Sequence, residues 1–281
     1  MIIAQLSDFH ARPHGRPAYG FIDTNAAIGR AVDAVLAMQP RPDCVLVTGD
    51  LTDCGLAEEY AIVREQLARL PMPVYVVPGN HDRRENFVAE LSEQHDYLPK
   101  AGFLNYAIDA FPVRLIGLDT LVPGESGGAL SAESEAWLAQ TLAEGSGRPT
   151  LIFMHHPPFR VAVDGMDGIL CRVSPGFAGL IARHPEIERI VCGHYHRPIQ
   201  RRFAGTIGYV APGTAHQVAL DLRPGTENQM IMEPPAFAVH AWDPEAGLVS
   251  HLQPIGDYGA PRPFTLDPAY PGQPQAALAD A

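Results

Sequence analysis

Five short apolar runs, far apart in the chain, each end in residues of metal-binding type. Ile2 to Leu6 runs into Ser7-Asp8-Phe9-His10, and Cys44 to Thr48 into Gly49-Asp50. Val74 to Val77 leads to Pro78-Gly79-Asn80-His81-Asp82, and Leu151 to Met154 leads to His155-His156-Pro157-Pro158. Ile190 to Cys192 leads to Gly193-His194-Tyr195-His196. A short continuous apolar run reads as a strand buried on both faces. In open α/β sheets the loops at the carboxyl ends of such strands carry the chemistry. The pattern implies an α/β fold in which five loop edges converge on two metal ions. Asp50, a lone carboxylate after a glycine, is the expected bridge between them.

The segments between these runs fit that frame. Asp23 reads as the N-cap of a helix whose apolar positions are Ala26, Ala27, Ala31, Val32, Val35 and Leu36, stopped by Pro40 and Pro42. Ala57 to Leu70 reads as a second amphipathic helix, ended by Pro71 and Pro73. The resulting β-α-β-α-β order implies parallel strands with covering helices. Val113 to Leu118 is a further strand, and Asp119 after it is expected to cap the next turn. Ser131 is expected to cap a helix through Leu142, and Phe177 to Ala182 to form a short one. Ile207 to Val210, Phe237 to Trp242 and Leu248 to Leu252 read as later strands. Residues 86–111 give no clear pattern. Residues 218–236 lack periodicity and are expected to form a hairpin or arm, as a cap or an oligomer contact. The Pro- and Ala-rich part from Pro254 to Ala281 reads as a C-terminal extension. No repeat or linker divides the chain, so one domain, 1–281, is expected.

The formal net charge is −12. Such a surface argues against nucleic-acid polymers, whose phosphates demand Lys and Arg. It permits a small phosphate substrate only where a local cation is held. The four cysteines, Cys44, Cys54, Cys171 and Cys192, lack zinc-type spacing and read as reduced thiols, which points to the cytoplasm. The chain opens directly on a strand, so no secretory signal is expected. No apolar run approaches the roughly 20 residues a membrane span needs.

Each motif by itself is as well explained by a turn or a surface residue. Five at successive strand ends are not. Together, Asp8-x-His10, Gly49-Asp50, Gly79-Asn80-His81-Asp82, His155 and Gly193-His194-x-His196 resemble the signature of the calcineurin-like metallophosphoesterase superfamily. Within it, Met154-His155-His156-Pro157-Pro158 and Tyr19-Gly20-Phe21-Ile22-Asp23 resemble the class III phosphodiesterase branch and its bacterial glycerophosphodiesterases. The resemblance implies a four-layer αββα sandwich with a small cap or oligomerisation arm. It implies that Asp8, His10 and His196 hold one metal, that Asn80, His155 and His194 hold the other, and that Asp50 bridges. His155 is preferred to His156 because the family ligand stands two residues before a proline. His81 resembles the family's substrate-contacting histidine. His216 and Tyr19 match pocket-lining positions, with a wall residue and a loop anchor as the alternatives.

The implied ligands, imidazole with carboxylate and amide, suit Fe, Mn, Zn or Co rather than Ca. The expected activity is hydrolysis of small organic phosphodiesters, glycerophosphodiesters first, by a metal-bridging hydroxide, with His81 and His216 assisting. Two divalent ions, two aspartates and a hydroxide leave a charge of roughly +1, which matches a diester monoanion. A cyclic 3′,5′-nucleotide is the alternative substrate, and a metal-free binding scaffold is the remote alternative. A homo-oligomer is expected, with no membrane partner.

Overall fold

The computed structural model describes residues 1–261. The first half of the chain runs β1 (Ile2–Leu6), α1 (Thr24–Ala37), β2 (Cys44–Thr48), α2 (Ala57–Leu67), β3 (Val74–Val77), α3 (Arg84–Leu91), β4 (Tyr106–Ile108) and β5 (Arg114–Leu118). It continues through α4 (Ala132–Glu144), β6 (Thr150–Met154), α5 (Asp164–Asp167), α6 (Phe177–Ala182), β7 (Ile187–Cys192), β8 (Ile199–Phe203) and β9 (Thr206–Val210). Last come β10 (Gln217–Val218), β11 (Met230–Ile231), β12 (Ala236–Asp243) and β13 (Gly247–Pro254).

Two sheets result. One has the order β13-β12-β1-β2-β3, the other β4-β5-β6-β7-β9-β8. The strands that read as apolar runs form the parallel interiors, β1-β2-β3 and β5-β6-β7-β9. Antiparallel strands β13, β4 and β8 close three of the four edges, and β3, parallel to β2, is the fourth. Period-two alternation divides the second sheet between two layers. Leu115, Leu151, Phe153 and Val191 face the first sheet and share its core with Val45, Val47 and Val76. Ile116, Leu118, Ile152, Met154 and Ile190 face outward, under Leu138 and Leu142 of α4 and Phe177 and Ile181 of α6. Ile28 and Val32 of α1 and Tyr60 and Val63 of α2 cover the first sheet. Helix, sheet, sheet, helix is the four-layer order expected.

Capping follows the sequence. The Asp23 carboxylate accepts from the Ala26 amide at 2.9 Å, and the Ser131 hydroxyl oxygen from the Ser134 amide at 3.0 Å. Helix α2 is shorter than expected, ending at Leu67 and not Leu70. Pro71 disfavours helical geometry at the residue before it, and the Arg69 and Leu70 amides turn to tighter bonds with the Gln66 and Leu67 carbonyls. Residues 86–111 contain most of α3 and all of β4. Only Phe87 and Leu91 of α3 are buried, too few to mark a helical face. The expected arm contains the short pair β10 and β11. Of the expected C-terminal extension, Pro254 ends β13 and Ile255 is buried; residues 262–281 lie outside the described residues.

A polar bridge ties the sheets beneath the site. The Gln5 side-chain amide donates to the Cys192 carbonyl at 2.9 Å and to the Thr48 hydroxyl at 3.0 Å. Its carbonyl oxygen accepts from His240 Nε2 at 3.0 Å, and His240 Nδ1 accepts from the Ser250 hydroxyl at 2.5 Å. Burial pushes the His240 imidazole down to about 3.

Candidate active site

The loops after β1, β2, β3, β6 and β7 meet at one edge. Asp8 Oδ1 lies 3.3 Å from His196 Nε2, and both Asp8 oxygens accept from the His194 amide. Asp50 Oδ2 lies 3.7 Å from His10 Nε2 and 3.3 Å from His155 Nε2. His155 Nε2 is also 3.1 Å from Asn80 Oδ1. The outer nitrogens are all engaged. His10 Nδ1 donates to the Asp53 carboxylate at 3.2 Å, His155 Nδ1 to the Thr48 carbonyl at 2.7 Å, and His196 Nδ1 to the His216 carbonyl at 3.0 Å. These acceptors fix the tautomer and leave each Nε2 lone pair facing inward. His194 is turned the other way: its Nε2 donates to the Ile169 carbonyl at 3.2 Å, which leaves Nδ1 as the free nitrogen.

The backbone is strained to achieve this. Non-glycine residues rarely adopt positive φ. Among the described residues eight do, and six of them are Asp8, His10, Tyr19, Asp50, His194 and His196. Such strain concentrates at functional sites. At Gly79 a Cβ would fall 2.2 Å from Asp50 Oδ1, so only glycine lets the β3 loop close on the bridging carboxylate. The loop is then clamped by Asp82, which accepts from the amides of Leu51, Thr52 and Gly79 and the hydroxyls of Thr52 and Tyr60. Burial and the nearby Asp50 raise Asp82 to about 6.

The donor set fits divalent cations. His10 Nε2 and His196 Nε2 lie 3.2 Å apart, and both carry their hydrogens on Nδ1. Two lone pairs facing at that distance require a positive charge between them. Burial works against the ionised form of Asp50, yet His155, His81 and His10 hold it well below the usual carboxylate range. The same field carries His155 up to about 9 against burial. Protons and cations compete for one place here. Asp8, His10 and Asp50 form one close donor group, and His155, His156 and His194 another.

His156 belongs to that second group by position, but it points elsewhere. Its Nδ1 bonds the Thr120 hydroxyl at 2.8 Å, its Nε2 has no partner, and burial with His194 and His155 holds it far below the ordinary imidazole value. His155 is the one that reaches Asp50 and Asn80. Asp119 also stays out of the centre: it binds the Arg84 guanidinium and caps the Leu121 amide at 3.0 Å.

A cavity of about 310 Å³ opens over the cluster, lined by Tyr19, His81 and His216 among others. The Tyr19 and His216 rings meet edge to face at 5.2 Å. Burial, then His196 and His10, push His216 down to about 3, and its Nδ1 is buried without a partner. Sequence reasoning missed Asp53, which anchors His10 and accepts His81 Nδ1 on its carbonyl at 2.8 Å. It also missed Asn228, Gln229 and Met230, which bring the arm into the wall. Asp53 follows the Asp50 turn by three residues, the one signal available; the arm residues carry none.

The calcineurin-like phosphoesterase family model matches residues 1–198, which contain Asp8, His10, Asp50, Asn80, His155, His194 and His196. The chain belongs to this family. A probable glycerophosphodiester phosphodiesterase of Arcobacter nitrofigilis is 37% identical over 265 residues, 94% of this chain and 97% of the relative. A probable cyclic nucleotide phosphodiesterase of Synechococcus is 30% identical over 239 residues, 83% of this chain and 88% of the relative. A dimetal phosphatase from Danio rerio shares the fold, with a TM-score of 0.61 at 14% identity, covering 91% of this chain and 99% of that one.

Proposed function

We propose that this phosphoesterase is a dinuclear phosphodiesterase acting on small organic diesters, glycerophosphodiesters first. The observation that carries the reading is the shared carboxylate: His10 from one donor group and His155 from the other both approach Asp50 Oδ2. We assign Asp8, His10 and His196 to one ion, Asn80, His155 and His194 to a second, and Asp50 to both. Fe, Mn, Zn or Co suits these donors. Bound there, such ions supply a water of lowered pKa and positive charge for phosphoryl oxygens.

The chain's own residues do the rest. The His81 backbone amide donates to Asp50 Oδ1 at 2.9 Å, and its ring donates to the Asp53 carbonyl. Burial lowers the basicity of the ring, but Asp50 and Asp53 outweigh it and raise its pKa, so Nε2 carries a second hydrogen with which to bind a phosphoryl oxygen and protonate the departing alkoxide. His216 and Tyr19 line the same cavity, where their edge-to-face rings wall the substrate. The arm caps the opening with Asn228 and Gln229. Its outer face exposes Leu220, Leu222 and Met232, which suit a contact with a second copy of the chain. The four thiols are unpaired, and we propose the cytoplasm as the compartment.

The similarity to glycerophosphodiester phosphodiesterases supports the substrate class, and the cyclic nucleotide phosphodiesterases supply the competing reading. The test compares kcat/KM for glycerophosphoethanolamine and 3′,5′-cAMP on metal-loaded protein. The glycerophosphodiester is expected to be the better substrate; a much higher value for cAMP overturns the assignment.

A further inference from the structure

Beyond His81 lies a second cavity, of about 420 Å³, that shares His81 and Asn80 with the main one. Its floor reaches the start of α3, where Arg83 and Glu85 line it. The neighbouring arginines are already committed. The Arg84 guanidinium is bound to buried Asp119 and the Leu121 carbonyl. Arg12 is bound to Asp53, and its Nη1 also approaches Cys54. Arg83 uses its backbone groups, donating to and accepting from the Tyr60 hydroxyl. Its guanidinium has no hydrogen-bond or ion-pair partner among the described residues. Its stem lies over Gly55, where an added Cβ would collide with Arg83 Cγ. An exposed, uncommitted cation lining this cavity stands out in a chain of net charge −12.

We infer that this side cavity takes the alcohol arm of the diester that extends past His81, and that Arg83 selects arms bearing a carboxylate. A guanidinium fork matches a carboxylate with two parallel hydrogen bonds. Glu85, on the same wall, opposes a bare polyanion and offers a partner to an ammonium group. A seryl arm carries both charges; an ethanolamine arm lacks only the carboxylate. The inference rests on the phosphodiesterase reading above and adds the specificity to it.

The test measures kcat/KM for glycerophosphoserine and glycerophosphoethanolamine with metal-loaded wild type, Arg83→Gln and Arg83→Lys. Wild type is expected to favour the seryl substrate by about tenfold, the worth of one charge-assisted contact in a partly wet site, expressed mainly in KM. Arg83→Gln brings the ratio to about one, and Arg83→Lys retains part of it. The ethanolamine substrate reports in each sample that the site is assembled. An unchanged ratio in Arg83→Gln, with turnover retained, sinks the side-cavity inference alone. Absence of turnover on either substrate and on bis(p-nitrophenyl) phosphate sinks the phosphodiesterase reading with it.

Discussion

His155 and His156 are neighbours at the end of β6, yet their imidazoles do different work. His155 points to Asp50 and Asn80, while His156 turns to Thr120. Metal analysis of purified variants separates them. His155→Ala is expected to lose one ion per chain and nearly all turnover. His156→Asn is expected to keep both ions and to melt at a lower temperature, because it disturbs a buried packing position. The reverse pattern of metal loss would remove His155 from the ligand set. His81 allows a second measurement at this scale. If it protonates the leaving alkoxide, His81→Ala costs more on glycerophosphoethanolamine than on bis(p-nitrophenyl) phosphate, whose nitrophenolate leaves without help. The expected excess is of order tenfold to a hundredfold, at the low end of what a positioned acid contributes; equal losses on both would deny His81 that role. The ligand types were legible because five separate apolar runs end in imidazole, carboxylate or amide side chains, which no single run would have shown. Asp53 was not, nor was the clamping role of Asp82, because they act on backbone amides and ring nitrogens of other loops, and the sequence does not say which amides a carboxylate will meet.

Elements buried on both faces were the most readable. β2 and β6 are buried at every position and are unbroken apolar runs in the sequence. β8 was unreadable because Gln200, Arg201 and Arg202 are exposed and the strand forms by pairing with β9. The sequence did not show how the two sheets are joined, because the link depends on Gln5 meeting Cys192, 187 residues away. His240 of β12 is part of that link and must stay neutral while folded. Its folded value of about 3 lies below the ordinary 6.5, so the unfolded chain binds the extra proton. The stability this provides is complete above about pH 6.5 and declines as pH falls through that value toward 3. By about pH 5 the loss is roughly 2 kcal/mol. Urea denaturation of wild type and His240→Gln across this range is expected to show a shallower decline in the variant. Parallel declines would mean that His240 does not titrate on unfolding.

At the level of the whole molecule, two sheets bring five distant loops to one edge, and Asp50 lies where the two groups of donors meet. The sequence order implied the parallel interior of the first sheet. It did not reveal that the arm reaches the site, since Asn228 and Gln229 sit in a segment with no periodicity and arrive there through the pairing of β10 with β11. The most direct test of the shared carboxylate is the metal-to-protein ratio after saturation with manganese and removal of free ion, read by mass spectrometry on wild type and Asp50→Ala. Two ions per chain are expected for wild type, with one or none for the variant. A wild-type ratio that never exceeds one, or an Asp50→Ala protein that still holds two, would contradict a centre built around Asp50.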